Sequence, residues 1–237
     1  IMAVITRKKY PFLFRVLDKK EIREDNATDA MDLHGIRGFN KVVKNGLSDV
    51  SVSYVSMSFL SDAGDNYPKL VDLCSEINDG KYCFLVKDDV YFFTKKDNWI
   101  ELHVAKGYDI LYWGIGYIGE TVGFKNMYDN VRNESKHAIA QIPVAVLLFK
   151  QFAETEIKVI PPNGKVKDFH CRYKSDLPIP IQRLDLNWYT ESCKNHPFVV
   201  RGHWRMQPHG KGRKEVKLKY IDPYMKTGYT KGAYMND

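Results

Sequence analysis

The sequence has few cysteines, and none of them forms the short pairs typical of metal sites and redox motifs. The 237 residues include four, Cys74, Cys83, Cys171 and Cys193, and no two are spaced C-x-x-C. We therefore expect neither a disulfide framework nor a zinc-finger fold. The thiols are expected to stay reduced, as in a cytosolic protein.

Long apolar runs are also missing. The longest, Ile142 to Phe149, is far shorter than the roughly 20 residues that a helix needs to cross a bilayer. The beginning of the chain does not resemble a signal peptide, because the basic residues Arg7, Lys8 and Lys9 interrupt it. These patterns predict a cytoplasmic protein without a membrane partner.

The chain also lacks an internal repeat, a low-complexity segment and a catalytic motif with a settled mechanism. The glycines of GIGYIG, Gly114 to Gly119, match the spacing G-x-G-x-x-G of dinucleotide sites. That motif is informative only between a strand and a long helix, and the segment from Glu120 to Tyr128 has no long helical face. We interpret the glycines as positions of a turn and of close backbone packing, and we predict no cofactor.

Strand-like sequence is abundant. Aromatic residues make up 13% of the chain, which favours a β-rich protein. Four short apolar runs between Lys81 and Trp113 are separated by hairpin-length turns, a pattern that predicts an antiparallel meander. The period changes over residues 131–152, which predict a nearly apolar, buried helix that Pro143 either kinks or restarts. The predicted fold class is α+β: an antiparallel β-meander sheet packed on a central buried helix, with a C-terminal basic β-hairpin.

The first part of the chain predicts further elements. Asp29 is a candidate N-cap for a helix that Asn45-Gly46 would end. Residues 49–60 alternate as a strand, although a slip at Tyr54-Val55 leaves a helix open. Residues 61–66 predict a loop, and residues 67–78 predict a short helix with Pro68 in its first turn.

Domain boundaries are signalled by proline. Residues 155–160 and 165–173 predict strands around the turn Pro161-Pro162-Asn163-Gly164, and the loop 174–180 contains two more prolines. We predict an α+β body over residues 2–173 and a C-terminal module over 181–237. One continuous domain is the alternative.

The positive charge of the chain is concentrated near its end. The net charge is +7 and the isoelectric point is about 9.0. The segment from Arg201 to Lys219 contains seven cationic residues and a single acidic one, Glu215. Two alternating runs between Phe198 and Tyr224 flank a loop of glycine and basic residues, which predicts a β-hairpin.

The alternation predicts two faces for this hairpin. If the strands pair in the matching register, one face is cationic: Arg201, His203, Arg205, Lys217 and Lys219. The other face is apolar and would dock on the body: Trp204, Met206, Leu218 and Tyr220.

A cationic ribbon is a shape that fits a nucleic-acid groove, so the first hypothesis is non-catalytic binding of DNA or RNA. The predicted contact residues are Arg201, His203, Arg205, Lys211, Arg213, Lys214, Lys217 and Lys219. The second hypothesis is a protein-interaction factor that inhibits or redirects a host protein. A third interpretation is an edge hairpin whose charges only keep it soluble and unpaired.

Histidines give two weaker alternatives. His203 with His209 or His196 would suit general acid–base cleavage of a phosphodiester, with neighbouring cations stabilising the developing charge. Zinc would need a second properly spaced pair beside Cys193-x-x-His196, and His170-Cys171 does not supply it. We therefore predict no metal site and, more generally, a protein that is not an enzyme.

The C-terminal end carries four sequence elements at Val200–Pro208, Gly210–Lys214, Lys217–Ile221 and Lys226–Tyr229. They follow the pattern V-R-G-H-[F/W]-R-x-Q-P, a glycine-rich basic turn, K-L-x-x-I and a closing K-x-G-Y. In this pattern the chain resembles a group of bacteriophage and mobile-element proteins without an assigned activity. The resemblance covers about the last fifth of the chain, and it implies a phage or plasmid protein acting in the cytoplasm of a bacterial host.

Overall fold

The computed structural model describes residues 2–119, 122–129, 136–153, 157–167, 172–185, 198–200, 202–213 and 215–226. The chain divides into two compact units, which are described separately. The larger comprises residues 1–151 and 156–185, and the smaller comprises residues 152–155 and 186–237. The predicted boundary loop, 174–180, lies within the larger unit and precedes its last strand.

The larger unit is built on an eight-stranded sheet and a three-stranded one. Their strands are β1 (Met2–Ile5), β2 (Val50–Val55), β3 (Gly80–Val86), β4 (Asp89–Lys96), β5 (Trp99–Lys106), β6 (Asp109–Ile118), β7 (Val122–Asp129), β8 (Lys158–Ile160), β9 (Lys165–Lys167), β10 (Arg172–Ser175) and β11 (Ile181–Leu184). The large sheet has the order β7-β6-β5-β4-β3-β2-β11-β8, and the small one has the order β1-β10-β9.

The predicted meander is confirmed, and it continues through β7. Strands β3 to β7 pair antiparallel in sequence order. Lys87 and Asp97 adopt positive φ in the first two turns, as tight hairpin turns require, and Gly107 does so in the third. Antiparallel pairing of sequence neighbours follows because connections this short cannot cross the sheet.

The rest of the large sheet is mixed, which the sequence did not indicate. β2 pairs parallel with both β3 and β11, and β1 pairs parallel with β10 in the small sheet. The α+β class stands, with antiparallel pairs in the majority.

Four helices belong to the described residues: α1 (Pro11–Leu17), α2 (Ala30–Asn45), α3 (Met57–Leu70) and α4 (Lys136–Phe152). Short 3-10 turns lie at Glu24–Asn26, Val71–Glu76 and Lys211–Arg213. The caps of α2 are confirmed: the Asp29 carboxylate accepts from Asp32 N at 2.8 Å, and Gly46 has φ 66°. None of these helices is long and apolar enough to span a bilayer.

The prediction of a loop over residues 61–66 was wrong, because α3 runs straight through it. Its buried positions, Phe59, Ala63, Asn66 and Leu70, recur at helical spacing. Asn66, a turn-forming residue in the sequence, donates from Nδ2 to the Asp62 carbonyl inside the helix at 2.8 Å. Pro68 therefore lies near the end of a helix and not in its first turn.

The central apolar helix is confirmed as α4. Pro143 lies inside it, and residues 144–149 are buried. Phe149 packs edge-to-face on Phe59 of α3, with 5.1 Å between ring centroids. Burial on this scale supplies the main stabilisation of such a unit.

The large sheet is covered on both faces. On one face, Phe39 of α2 packs on Phe92 of β4 and on Phe12 of α1. Ser53 of β2 points to the other face, where its hydroxyl and Lys150 of α4 both donate to Gln182 Oε1. Neighbouring strand residues point to opposite faces, which is why α2 and α4 lie on opposite sides of the sheet.

Of the GIGYIG glycines, Gly114 takes the close-packed role that we expected, whereas the expected turn does not fall at Gly114 or Gly116. Gly114 and Gly116 lie within β6, which continues to Ile118. A Cβ at Gly114 would press against the Tyr112 ring. Close packing in a strand accounts for this glycine, and no helix follows in the described residues before α4.

Candidate functional site

The C-terminal hairpin is built from four short strands of the smaller unit. β12 (Phe198–Val200) pairs antiparallel with β15 (Tyr224–Lys226), and β13 (His203–His209) pairs antiparallel with β14 (Glu215–Ile221). Val200 lies opposite Tyr224, and His203 lies opposite Ile221, so both ladders share one register. Pro223, which has no N–H to donate, lies at the interruption between them.

The register brings cationic side chains to one face, as the alternation predicted. Arg205 lies directly opposite Lys219, and Gln207 lies opposite Lys217. His203 shares this face because it is two residues from Arg205. His203, Arg205 and Lys219 are exposed, and Lys217 is half-buried.

The opposite face is apolar and packed. Trp204 lies opposite Tyr220, with ring centroids 5.3 Å apart in an edge-to-face arrangement, and Met206 lies opposite Leu218. Leu218 is buried, and its backbone forms a bridge with Ala153 of the same unit. These contacts fix which face of the hairpin is turned outward.

Gly202 is also fixed by this packing. A Cβ at this position would overlap the hydroxyl end of Tyr220 and press on Pro223. Sequence reasoning missed that the Tyr220 ring covers this glycine. The glycine and tryptophan of the V-R-G-H-W segment therefore serve the shape of the hairpin.

The turn between β13 and β14 carries further positive charge. Gly210 and Gly212 adopt φ of 77° and 76°, a region that favours glycine. Lys211 is exposed between them. The structure describes neither Arg201 nor Lys214, nor the side chain of Arg213, so the predicted roles of these residues stay predictions.

The two candidate catalytic histidines lie far apart. His203 and His209 stand at opposite ends of β13, six residues apart, which corresponds to about 20 Å. His209 Nδ1 lies 3.3 Å from Oε2 of Glu215, its partner across the ladder. An acid and a base must both reach the same phosphodiester, so this pair does not form one acid–base site. His196 lies outside the described residues.

A metal centre has no support in the described part of the chain. No three histidine, cysteine, aspartate or glutamate side chains gather there at ligating distance. The residues considered for zinc, His170, Cys171, Cys193 and His196, lie outside that part. Cys74 and Cys83 are free and buried, and burial raises the pKa of the Cys74 thiol to about 11.

The pairing of Arg205 with Lys219 becomes visible only in the register of the two strands. Arg205 and Lys219 are 14 positions apart in the sequence but face each other directly across the ladder. Counting outward from the glycine turn would have predicted this pair, whereas the alternation alone gives only the shared face.

Comparison with known proteins points to the same segment. Residues 195–225 match the model of a family described as AcrVA2-like, the anti-CRISPR type V subtype A2 family. Neither the curated proteins nor the solved structures gave a match. The family match therefore covers the hairpin and little else. Of the two hypotheses, it supports a phage anti-defence factor better than a nucleic-acid-binding protein.

Proposed function

We propose that the protein is an anti-defence factor of a phage or mobile element, and that it acts on a component of a type V CRISPR system in the bacterial cytoplasm. The observation that carries this proposal is the coincidence of the family match, residues 195–225, with the two-faced hairpin. The contact surface of this proposal is the cationic face, defined as His203, Arg205, Lys217 and Lys219.

The charge arrangement supports a role in binding. Arg205 and Lys219 lie directly opposite each other in the ladder, so two cations stand side by side on this face. An acidic host protein surface would complement this charge, and such complementarity raises the association rate and the specificity of binding.

The test is an interference assay in bacteria that carry a type V CRISPR system directed at a phage. Expression of the wild-type protein is expected to restore plaque formation. With the variant Arg205→Ala/Lys217→Ala/Lys219→Ala, the number of plaques is expected to be at least tenfold lower than with the wild type, because the variant lacks these three cations of the contact surface.

The matched control removes three exposed cations from the larger unit: Lys8→Ala/Lys165→Ala/Lys167→Ala. It has the same net charge as the hairpin variant and is expected to protect the phage as the wild type does. Full protection by the hairpin variant, or equal loss in both variants, would overturn the assignment of the contact surface. Failure of the wild-type protein to protect would overturn the anti-defence function itself.

Nucleic acid is the second candidate partner of the same face. The favouring observation is the run of exposed cations along one side of the ribbon, continued by Lys211 at the turn. Binding to DNA or RNA would fall steeply with salt, because each neutralised phosphate releases counterions. A titration at two salt concentrations against DNA, RNA and an acidic protein separates the two candidates. Salt-steep binding to nucleic acid that the triple variant loses would favour the second.

A further inference from the structure

The larger unit carries an exposed pair of aromatic rings. Trp99 of β5 lies directly opposite Tyr117 of β6, with ring centroids 4.1 Å apart and ring planes tilted by 40°. The two residues are 50% and 53% exposed. Cross-strand aromatic pairs commonly stabilise a sheet, and this pair also leaves about half of each residue's surface open to solvent.

The position of the pair on the sheet explains its exposure. Two residues further along the same face, Glu101 lies opposite Ile115, and two residues beyond that, His103 lies opposite Trp113. Helix α2 covers the sheet at this last pair, where Phe39 packs on His103 with ring centroids 5.2 Å apart. Trp99 and Tyr117 therefore lie on the part of the face beyond the helix.

Lysines surround this aromatic pair. Lys96 of β4 lies opposite Trp99, and Lys81 of β3 lies opposite Thr94, which in turn faces Glu101. Lys41 of α2 lies over the Trp113 ring, 5.8 Å from its centroid. All three lysines are exposed.

Of the nearby acids, only the Asp79 carboxylate has a cationic partner: it accepts from Lys95 Nζ at 2.7 Å and from the Asp97 amide at 2.9 Å. Glu101 Oε1 accepts from His103 Nε2 at 3.1 Å and from Trp113 Nε1 at 3.0 Å, two donors that leave the carboxylate its charge. The side chain of Asp97 is exposed in the β4–β5 turn. The three lysines outnumber Glu101 and Asp97, so the charge presented to a ligand on this face is positive.

We propose that this aromatic strip, defined as Lys81, Lys96, Trp99 and Tyr117, binds single-stranded nucleic acid. Bases stack on the two rings, and Lys81 and Lys96 contact the phosphates, with Lys41 as a further cation at the Trp113 end of the face. Every base has a π-face, so such a site tolerates many sequences. A duplex keeps its bases stacked inside, so the strip selects single strands. The proposal stands on residues of the larger unit and does not depend on the hairpin.

The test measures the fluorescence anisotropy of a labelled single strand of about ten nucleotides, as RNA and as DNA, with the same sequence as a duplex for comparison. The full chain carries the hairpin substitutions Arg205→Ala/Lys217→Ala/Lys219→Ala throughout, so that only the strip is measured. Trp99→Ala/Tyr117→Ala is expected to weaken single-strand binding at least tenfold, since stacking on an aromatic ring contributes on this scale per base. Trp99→Phe/Tyr117→Phe keeps two rings and is expected to stay within about threefold of the parent.

Two further variants keep the test decisive. Tyr108→Ala removes a ring that is 74% exposed on the β5–β6 turn, outside the strip, and is expected to leave binding unchanged. Lys81→Ala/Lys96→Ala is expected to lower the slope of log K against log salt by about 1.4, for two phosphate contacts to a single strand.

The proposal is overturned if the double alanine variant binds as its parent does, if Tyr108→Ala weakens binding equally, or if duplex and single strand bind alike. An unchanged salt slope in the lysine variant overturns the phosphate contacts. Strip-dependent binding of an apolar peptide, with no binding of nucleic acid, would show instead that the aromatic pair is a protein-docking surface.

Discussion

Individual side chains in the hairpin divide into those that shape it and those that it presents. On one face, the Tyr220 ring packs on Trp204 and leaves no space for a side chain at Gly202. On the other face, Arg205 and Lys219 are exposed. Substitutions on the two faces should therefore have different consequences. Changes on the packed face are expected to lower stability, and changes on the cationic face are expected to weaken binding of the proposed partner.

Gly202→Ala is expected to destabilise the hairpin by about 1–3 kcal/mol, because the new methyl group must displace the Tyr220 ring. The measurement is denaturant unfolding combined with amide hydrogen exchange of residues 203–221. Gly64→Ala is the control, since a Cβ at that helical position has no neighbour within 4 Å. It is expected to be neutral or stabilising by up to about 1 kcal/mol. Equal behaviour of the two variants would contradict the role given to Gly202.

At the scale of elements, short-range pattern predicted the meander and the caps of α2 well. Asp29, Gly46 and the turns of β3 to β6 act through neighbours in the sequence, so their signals are local. The parallel pairing of β2 with β11 joins residues about 130 positions apart, such as Ser53 and Gln182. No local period encodes such a pair.

Helix α3 shows a second reason why local sequence patterns can mispredict an element. Residues 61–66 contain glycine, asparagine and aspartate, which favour turns. Their burial pattern nevertheless continues the helical face from Phe59 to Leu70, and packing against α4 outweighs local propensity. The slip at Tyr54-Val55 was the correct signal: the strand ends at Val55, and Ser56 caps the helix by accepting from Phe59 N.

The packing of α2 on the sheet makes stability depend on pH. His103 is buried, and Nε2 is bonded to Glu101, while no described residue offers a hydrogen-bond partner to Nδ1. A charged imidazole would carry a proton on both nitrogens, so burial lowers the pKa of His103. The hydrogen bond from His103 holds the pKa of Glu101 below its usual value.

Both pKa shifts lower the free energy of unfolding as the pH falls. Below a pH of about 6.5 the unfolded chain takes up a proton at His103 that the folded chain resists, so the free energy of unfolding falls on acidification. We expect His103→Gln to flatten this fall between pH 7 and pH 5, as measured by urea unfolding across that range. His34→Gln, at an exposed position of α2, serves as the control and should keep the wild-type pH dependence. An unchanged profile in His103→Gln would contradict this account.

At the scale of the whole molecule, the chain separates a large sheet unit from a small unit that carries the hairpin. Every strand of the eight-stranded sheet ends by residue 184, and α4 supplies its buried helix before residue 153. The core of the larger unit is therefore contained within the first 185 residues.

We expect a fragment of residues 1–185 to fold on its own and to unfold in one cooperative transition. Thermal unfolding followed by circular dichroism measures this, with the full chain as the reference. The fragment lacks the cationic face and is expected to lose activity in the interference assay. A fragment without a cooperative transition would show that the smaller unit is needed for the sheet to form.

Packed and outward-facing residues alternate along β13 and β14. Positions 202, 204, 218 and 220 build the ribbon, and positions 205, 217 and 219 between them lie on the other face. Of these three, the sequence pattern that this end resembles keeps the arginine at 205 and the lysine at 217 and leaves position 219 open. A substitution at position 219 would therefore change what the ribbon touches while the scaffold and the two kept cations stay in place.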